Sequence, residues 1–189
     1  MPHNPHLDQA PSLWRALRHV LRHRLSGEHA SRRTLSAAAL ERIGEQVRAS
    51  ERRHGGQIRV VVEVGLPPSY LWRHLRSRVP LRRIVRERAL MLFGKLRVWD
   101  TEHNNGVLIY LLLAERAVEI VADRGLNARV TEAQWRGVLA RLSQALAAQQ
   151  FEQGLTQAVQ EVSALLEAAF PPGQGAAPVN ELPDAPLRL

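Results

Sequence analysis

The chain has 189 residues, of which 45% are hydrophobic, and a formal net charge of +8 at pH 7. This length fits one folded unit with flanking segments, and this composition is typical of globular proteins rather than disordered or fibrous ones. The chain contains no cysteine, which excludes disulfides, thiolate catalysis and cysteine-ligated metal sites.

The positive charge is concentrated in the first half of the chain. Residues 1–99 contain 20 basic and 7 acidic residues, whereas residues 100–189 contain 6 and 11. A one-sided basic surface attracts nucleic acid, anionic lipid or an acidic partner. Because only 5% of the residues are aromatic, binding through stacked bases is disfavoured. We therefore expect an anionic lipid surface or a membrane-bound complex as the partner, and no specific nucleic acid.

Residues 1–33 are predicted to form a basic appendage. Its middle part, "SLWRALRHVLRHRL", has leucines at helical spacing with arginines and histidines on the opposite face. Such a helix can lie on an anionic membrane or pack on its own domain. No apolar run exceeds eight residues, far short of the roughly 20 that cross a bilayer, and no secretory signal is visible. These features predict a cytoplasmic protein, at most peripheral to the inner membrane.

A helix and a strand are predicted next. The helix begins at a cap provided by Thr34 or Ser36 and ends at Gly55-Gly56. The stretch "QIRVVVEV" that follows is rich in β-branched residues, which indicates an interior strand. Residues 70–93 are predicted to be helical in two pieces, with a break at Pro80.

The second half predicts a hairpin followed by two helices. "GVLIYLLL" and "AVEIVA" are separated only by "AER", so we expect two antiparallel strands. "TEAQ" from Thr131 is a capping box that starts one helix, and residues 151–166 form the next, which ends at Phe170-Pro171-Pro172. Residues 172–189, rich in proline, glycine and alanine, are predicted to be a disordered tail.

The order of these elements predicts an α/β fold: a small mixed sheet with helices packed on it, formed by residues 34–171. The segments "GGQIRVVVEV", "LFGKLRVWDTEHNNGVLIYLLLAERAVEIVADRGL" and "FEQGLTQAVQEV" are similar to the TPM domain family, in its short, soluble bacterial form. The resemblance covers residues 35–170. It implies an αβα sandwich with a site formed by loops at one edge of the sheet. It also implies phosphatase activity or calcium binding in some members, and an accessory role in membrane complexes in others.

The loops before and after the hairpin carry the candidate cation ligands. The family's DNG turn falls on Asn104-Asn105-Gly106, with asparagine in place of the usual aspartate, and its GYGLE exit falls on residues 123–127. Hard cations such as Ca²⁺ prefer carboxylate and carbonyl oxygens. Antiparallel pairing brings both loops to one edge of the sheet. The predicted ligands of Ca²⁺ or another divalent cation are Asp100, Asn104, Asn105 and Asp123. The alternative is that Asn-Gly serves only as a turn.

Seven arginines between Arg73 and Arg88 could bind an anion, because guanidinium groups match phosphate oxygens in pairs. The anion-binding candidates are Arg82, Arg83 and Arg86, and the alternative is a solvated helix face. The sequence motifs of P-loop NTPases, zinc proteases and serine hydrolases are absent. No nucleophile is identified, so a metal-activated water is the economical choice for hydrolysis.

Three functional hypotheses remain open, of which nonspecific nucleic-acid binding is the weakest. The first is a TPM-domain protein that binds a divalent cation and has phosphatase-like, metal-assisted activity. The second is a non-catalytic accessory module whose basic half associates with a membrane complex or an anionic surface. The sequence does not identify a substrate or an oligomeric state.

Overall fold

A four-stranded sheet lies between two layers of helices in the computed structural model of the chain, which describes residues 34–77, 79–171 and 180–189. In chain order, the helices and strands of the described residues are α1 (Ala37–Glu51), β1 (Gln57–Glu63), α2 (Pro68–Ser77), α3 (Leu81–Lys95), β2 (Gly106–Leu112), β3 (Ala117–Ala122), α4 (Glu132–Ala147), α5 (Phe151–Ala169) and β4 (Leu187–Arg188). Short 3-10 turns at Leu113–Glu115 and Arg124–Leu126 flank β3.

The sheet is mixed, with strand order β3-β2-β1-β4. β1 and β2 run parallel, with Gln57 opposite Gly106 and Glu63 opposite Leu112. Parallel neighbours need a crossover connection, which α2 and α3 provide. β2 and β3 form the predicted antiparallel hairpin. The predicted α/β class and αβα arrangement are therefore confirmed.

Side chains alternate between the two faces of the sheet, and each face has its own core. Val60 and Ile109 belong to the core under α1, α4 and α5, whereas Val61, Leu108 and Tyr110 belong to the core under α2 and α3. Every residue of β1 and β2 is buried, as expected for strands covered on both faces. The prediction that "QIRVVVEV" forms an interior strand is thus confirmed.

The predicted helix caps and the break at Pro80 agree with the structure, whereas α1 ends at Glu51, before the predicted end at Gly55-Gly56. The Ser36 hydroxyl accepts a hydrogen bond from the Ala39 N–H at 3.1 Å and caps α1. Thr131 and Gln134 form the reciprocal bonds of the capping box at the start of α4. Pro80 separates α2 from α3, because proline has no N–H to continue a helix.

The prediction of a disordered tail over residues 172–189 is wrong for residues 180–189. Leu187 and Arg188 form β4, which pairs parallel with β1, and Leu182 is buried. The content of proline, glycine and alanine led to this wrong prediction. Side chains of β1 bind the main chain of much of this segment, which therefore needs no regular strand pairing there. Residues 172–179 and the predicted appendage 1–33 lie outside the described residues. Within the described part of the chain, none of the helices has the length and apolar character needed to cross a bilayer.

Candidate functional site

Three loops meet at one edge of the sheet. β1 and β2 begin at this edge and β3 ends there, because β1 and β2 are parallel while β3 is antiparallel to β2. The Asp123 N–H donates to the Gly106 carbonyl at 2.9 Å, and the Gly125 N–H donates to the Asn104 carbonyl at 3.0 Å. The two loops that carry the predicted cation ligands are therefore in direct contact.

The Asn104-Asn105 turn is held by both main-chain conformation and side-chain bonds. Asn104 has a φ of 51°, a left-handed conformation that asparagine tolerates. Asn105 is fully buried. Its N–H donates to Thr101 Oγ1 at 3.0 Å, and its Nδ2 donates to the Gly55 carbonyl at 2.7 Å. The chain therefore turns over Thr101–Asn104, where the Asn104 N–H donates to the Thr101 carbonyl at 3.1 Å, and not at Asn105-Gly106, since Gly106 begins β2. The Asn105 side chain in addition joins this loop to the end of the α1–β1 connection.

Asp123 and Gly125 position the second loop. Asp123 caps the short turn after β3, since its Oδ1 accepts from the Arg124 N–H at 2.6 Å. A Cβ at Gly125 would lie 2.5 Å from the Asn104 carbonyl oxygen, so only glycine permits this close approach. Arg124 is exposed at the same edge, and its Nε donates to Asn104 Oδ1 at 2.9 Å.

Three buried polar atoms without hydrogen-bond partners lie in the loops that meet at this edge, and two others, Gln46 Oε1 and Glu51 Oε2, lie elsewhere among the described residues. Among the described residues, Asn105 Oδ1, Asp123 Oδ2 and His54 Nε2 are all inaccessible to solvent and have no donor or acceptor within reach. Burial lowers the pKa of His54, which favours its neutral imidazole. Buried polar atoms are nearly always satisfied, so each of these requires an explanation such as a bound ion or water. Two of the three are oxygens, which fit a hard cation.

Asp100 forms an ion pair with a residue that is not among the predicted cation ligands. Its carboxylate forms an ion pair with Arg97, three residues earlier, including a bond from Arg97 Nε at 2.9 Å. Of the four predicted ligands, Asn104, Asn105 and Asp123 therefore come together, while the Asp100 side chain is turned to a different partner. The part of the chain that the structure describes contains no group of three or more histidine, aspartate or glutamate side chains suited to a metal.

The three anion-binding candidates lie on α3. Arg83 pairs with Glu87 at 3.1 Å, and Arg86 pairs with Glu119 at 3.2 Å and with the Ile120 carbonyl at 2.8 Å. Arg82 interacts electrostatically with Glu119. Glu119 is four residues before Asp123 along β3, which separates their Cα atoms by roughly 13 Å. Arg86 therefore contacts the middle of β3, away from the loop edge.

Sequence reasoning missed two buried polar clusters. In the first, Glu63 accepts bonds from Tyr110 Oη at 2.6 Å and Arg88 Nε at 3.0 Å. In the second, Glu51 Oε1 accepts from the Ile58 N–H at 2.8 Å and Glu51 lies beside Asp184. The sequence signal for the Glu63 cluster was the presence of charged residues inside the otherwise apolar strand "QIRVVVEV". Buried charges of this kind require specific partners.

Comparison with known proteins agrees with this architecture. The family model described as the TPM domain matches residues 30–165, which is more than half of the chain. The protein therefore belongs to the TPM domain family. A solved structure, the NMR structure of the BA42 protein from the psychrophilic bacterium Bizionia argentinensis, has the same fold with a TM-score of 0.68. It shares 24% identity and covers 82% of this chain and 95% of its own. No curated protein matches the sequence.

Proposed function

We propose that this TPM domain binds a divalent cation, Ca²⁺ or a chemically similar ion, at the edge formed by the Asn104–Gly106 and Asp123–Gly125 loops. The observation that carries the proposal is the presence of two buried oxygens, Asn105 Oδ1 and Asp123 Oδ2, that have no donor. A cation that reaches either oxygen would satisfy it. Because Asp123 supplies the one carboxylate of this proposed site and its Oδ1 already accepts from the Arg124 N–H, the affinity should be in the millimolar range, as in weak extracellular calcium modules.

A calcium titration followed by amide NMR tests the cation site. We expect the amide resonances of residues 104–106 and 123–125 to shift as calcium is added to the wild type and to keep their positions in Asp123→Asn. Asparagine keeps the capping bond but removes the charge. Asp100→Asn is the matched control and should retain the response, because Asp100 is already paired with Arg97. Unchanged wild-type spectra at millimolar calcium would reject the site.

The hydrolytic part of this proposal is a phosphatase-like reaction that depends on the same cation. A bound cation would polarise the phosphoryl oxygens and lower the pKa of an attacking water. Arg124 supports this role better than Arg82, Arg83 or Arg86, since its guanidinium is exposed at the loop edge. Hydrolysis of a generic phosphomonoester should therefore be lost in Asp123→Asn and should show a raised KM in Arg124→Met. Activity that persists in both variants belongs to another site or to a contaminant.

Association with an anionic surface is the second candidate function, because the outer side of α2 and α3 combines positive charge with exposed aromatic residues. Residues 68–99 contain nine basic residues and one acidic residue. Trp72 is 63% exposed, Trp99 50% and Leu90 47%. Leu90 lies opposite the buried face of α3, with Arg86 one turn before it and Arg83 two turns before it. Tryptophan beside arginine is the composition of surfaces that insert into a lipid interface.

Sedimentation with vesicles tests this second function. The full-length chain should pellet with vesicles that contain phosphatidylglycerol and remain in solution with pure phosphatidylcholine. Trp72→Ser and Leu90→Ser together should weaken pelleting, whereas a matched change at Trp135, on the opposite helix layer, should have no effect. A chain beginning at Leu35 lacks residues 1–34 and so separates their contribution. Equal pelleting of all variants with both lipids would reject the assignment.

A further inference from the structure

Residues 180–189 lie along the outer edge of β1 like a bound peptide. Leu187 and Arg188 pair in parallel with Val61 and Val62. The Leu189 N–H donates to the Val62 carbonyl and the Val64 N–H donates to the Leu189 carbonyl, each at 3.0 Å. This is the hydrogen-bond pattern of β-strand addition, in which an extended segment completes an open sheet edge.

Two side chains of β1 bind the main chain of the segment before it reaches the sheet. Gln57 Oε1 accepts from the N–H groups of Glu181 and Leu182 at 3.0 and 3.1 Å. Arg59 Nη1 donates to the carbonyls of Pro183 and Ala185, both at 2.6 Å. Contacts to the main chain do not depend on the side chains of the segment, so an extended peptide of different sequence can make them as well.

Besides Glu181 and Arg188, whose side chains bond to the Glu102 N–H and the Leu35 carbonyl, three positions of the segment contact the domain through their side chains. Leu182 is buried in the core under α2 and α3. Asp184 is buried and accepts from Arg48 Nε at 2.9 Å. Pro186 lies against Gly44 of α1, where a Cβ would approach the proline ring to 3.2 Å. The edge therefore selects an apolar residue, an acidic residue two positions later and a proline two positions after that.

The segment is held less firmly than the strands it covers. Leu182 is its one buried apolar side chain, with 7% of its surface exposed, whereas every residue of β1 and β2 is buried. Its strand is two residues long. Elements with little buried apolar surface open locally at a lower free energy than the whole domain unfolds.

We propose that the outer edge of β1, with Gln57, Arg59, Arg48 and Gly44, is a peptide-binding groove, and that residues 180–189 are its built-in, displaceable occupant. The external ligand is an extended segment of another protein with the same chemistry: an apolar residue, an acid two positions later and a proline two positions after the acid. This proposal does not depend on the proposed cation site, which is formed by the Asn104–Gly106 and Asp123–Gly125 loops and not by the outer edge of β1.

Fluorescence anisotropy with a labelled peptide of residues 180–189 tests the groove in the full-length chain. In the wild type the tethered segment competes at an effective concentration on the order of millimolar. Leu182→Ser with Asp184→Ala in the tethered segment removes this competitor and leaves the groove intact. We expect the peptide to bind this double variant at least about tenfold more tightly than the wild type. The Glu102 amide, which donates to Glu181 in the wild type, should shift in the same variant.

Two controls make the result specific. Adding Arg59→Met and Gln57→Leu to the double variant should abolish peptide binding, and a peptide carrying the Leu182→Ser and Asp184→Ala changes should not bind. A folded double variant that does not bind the peptide overturns the proposal. A wild-type dimer that forms by mutual exchange of this segment would identify a second copy as the occupant and overturn the choice of another protein.

Hydrogen exchange in the wild type provides a test that needs no variant. The amides of Glu181, Leu182 and Leu189 should exchange at least about tenfold faster than those of Ile109 and Tyr110 in β2, because the segment opens without unfolding of the sheet. Equal rates would show that residues 180–189 leave the edge only when the whole domain unfolds, and the segment would then be a fixed part of the fold.

Discussion

The two faces of the sheet are covered in different ways. The α1, α4 and α5 layer packs through aliphatic side chains, and its three helices contain seven glutamates and four arginines. The layer formed by α2 and α3 has the opposite sign of charge and contacts the sheet through Arg86 with Glu119 and Arg88 with Glu63 as well as through apolar packing. One sheet thus separates a negatively charged, apolar-packed side from a positively charged side whose arginines form ion pairs with the buried glutamates Glu63 and Glu119.

Arg88→Met should produce the largest loss of stability on the positively charged side. The Glu63 side chain is 3% exposed and that of Arg88 is 13% exposed, so removing the guanidinium leaves a buried carboxylate with only Tyr110 as a donor. Breaking a buried pair from one side costs about 3–5 kcal/mol. Urea unfolding measures the loss. Because an apolar replacement of both partners is often neutral, Arg88→Met with Glu63→Leu should recover much of the stability. A single-variant loss below about 1 kcal/mol would contradict a structural role for the pair.

Leu155→Ala should produce a slightly smaller loss on the opposite side. Leu155 is fully buried in α5, and truncation of such a leucine costs about 3 kcal/mol through lost burial and the cavity that remains. This loss should be unaffected by salt. The same substitution at Leu90, which is exposed on α3, is the matched control and should change the free energy of unfolding by less than about 0.5 kcal/mol. Similar losses at both positions would mean that the two layers do not differ as described.

Glu51→Gln should have the smallest effect of the three near pH 5, and the growth of its effect with rising pH tests the comparison further. Burial, followed by the nearby Asp184, raises the pKa of Glu51 from its ordinary value of 4.5 to about 8. Between these values the folded state binds one more proton at this site than the unfolded state, so stability falls as the pH rises from 4.5 towards 8. Glutamine mimics the protonated acid. The melting temperatures of wild type and variant should therefore agree near pH 5, and the variant should melt higher at pH 9.

Glu41→Gln, an exposed change on the same helix, is the control for Glu51→Gln and should leave the pH profile unaltered. Parallel profiles of the wild type and Glu51→Gln from pH 5 to 9 would contradict the raised pKa. The Glu51 cluster is the polar exception on the otherwise aliphatic side, since it joins the end of α1 to Asp184.

Most of the architecture was predictable because the elements have strong local patterns. The alternation in "AVEIVA" places Val118 and Ile120 on one face and Glu119 on the other, and the structure agrees. The capping box at Thr131 and the break at Pro80 depend on short-range chemistry that is visible in the sequence. β4 was not predictable, because its two residues have no strand pattern and the residues just before them are held by Gln57 and Arg59, more than 120 positions earlier in the chain.

The candidate site was only partly predictable for a similar reason. Hairpin pairing was sufficient to bring Asn105 and Asp123 to one edge of the sheet. The engagement of Asp100 by Arg97 depends on side-chain conformation after α3, which spacing alone does not determine. His54 was missed because a single histidine before Gly55-Gly56 has no distinctive spacing, although its Nε2 is buried without a partner.

The pairing of β4 with β1 has a consequence for biosynthesis. Val61 leaves the ribosome long before Leu187 has been made, so the outer edge of β1 has no strand partner during most of translation. Such an edge can pair with neighbouring nascent chains or be protected by a chaperone. A codon-level slowdown before residue 180 would lengthen this period and should increase aggregation without changing the stability of the finished protein.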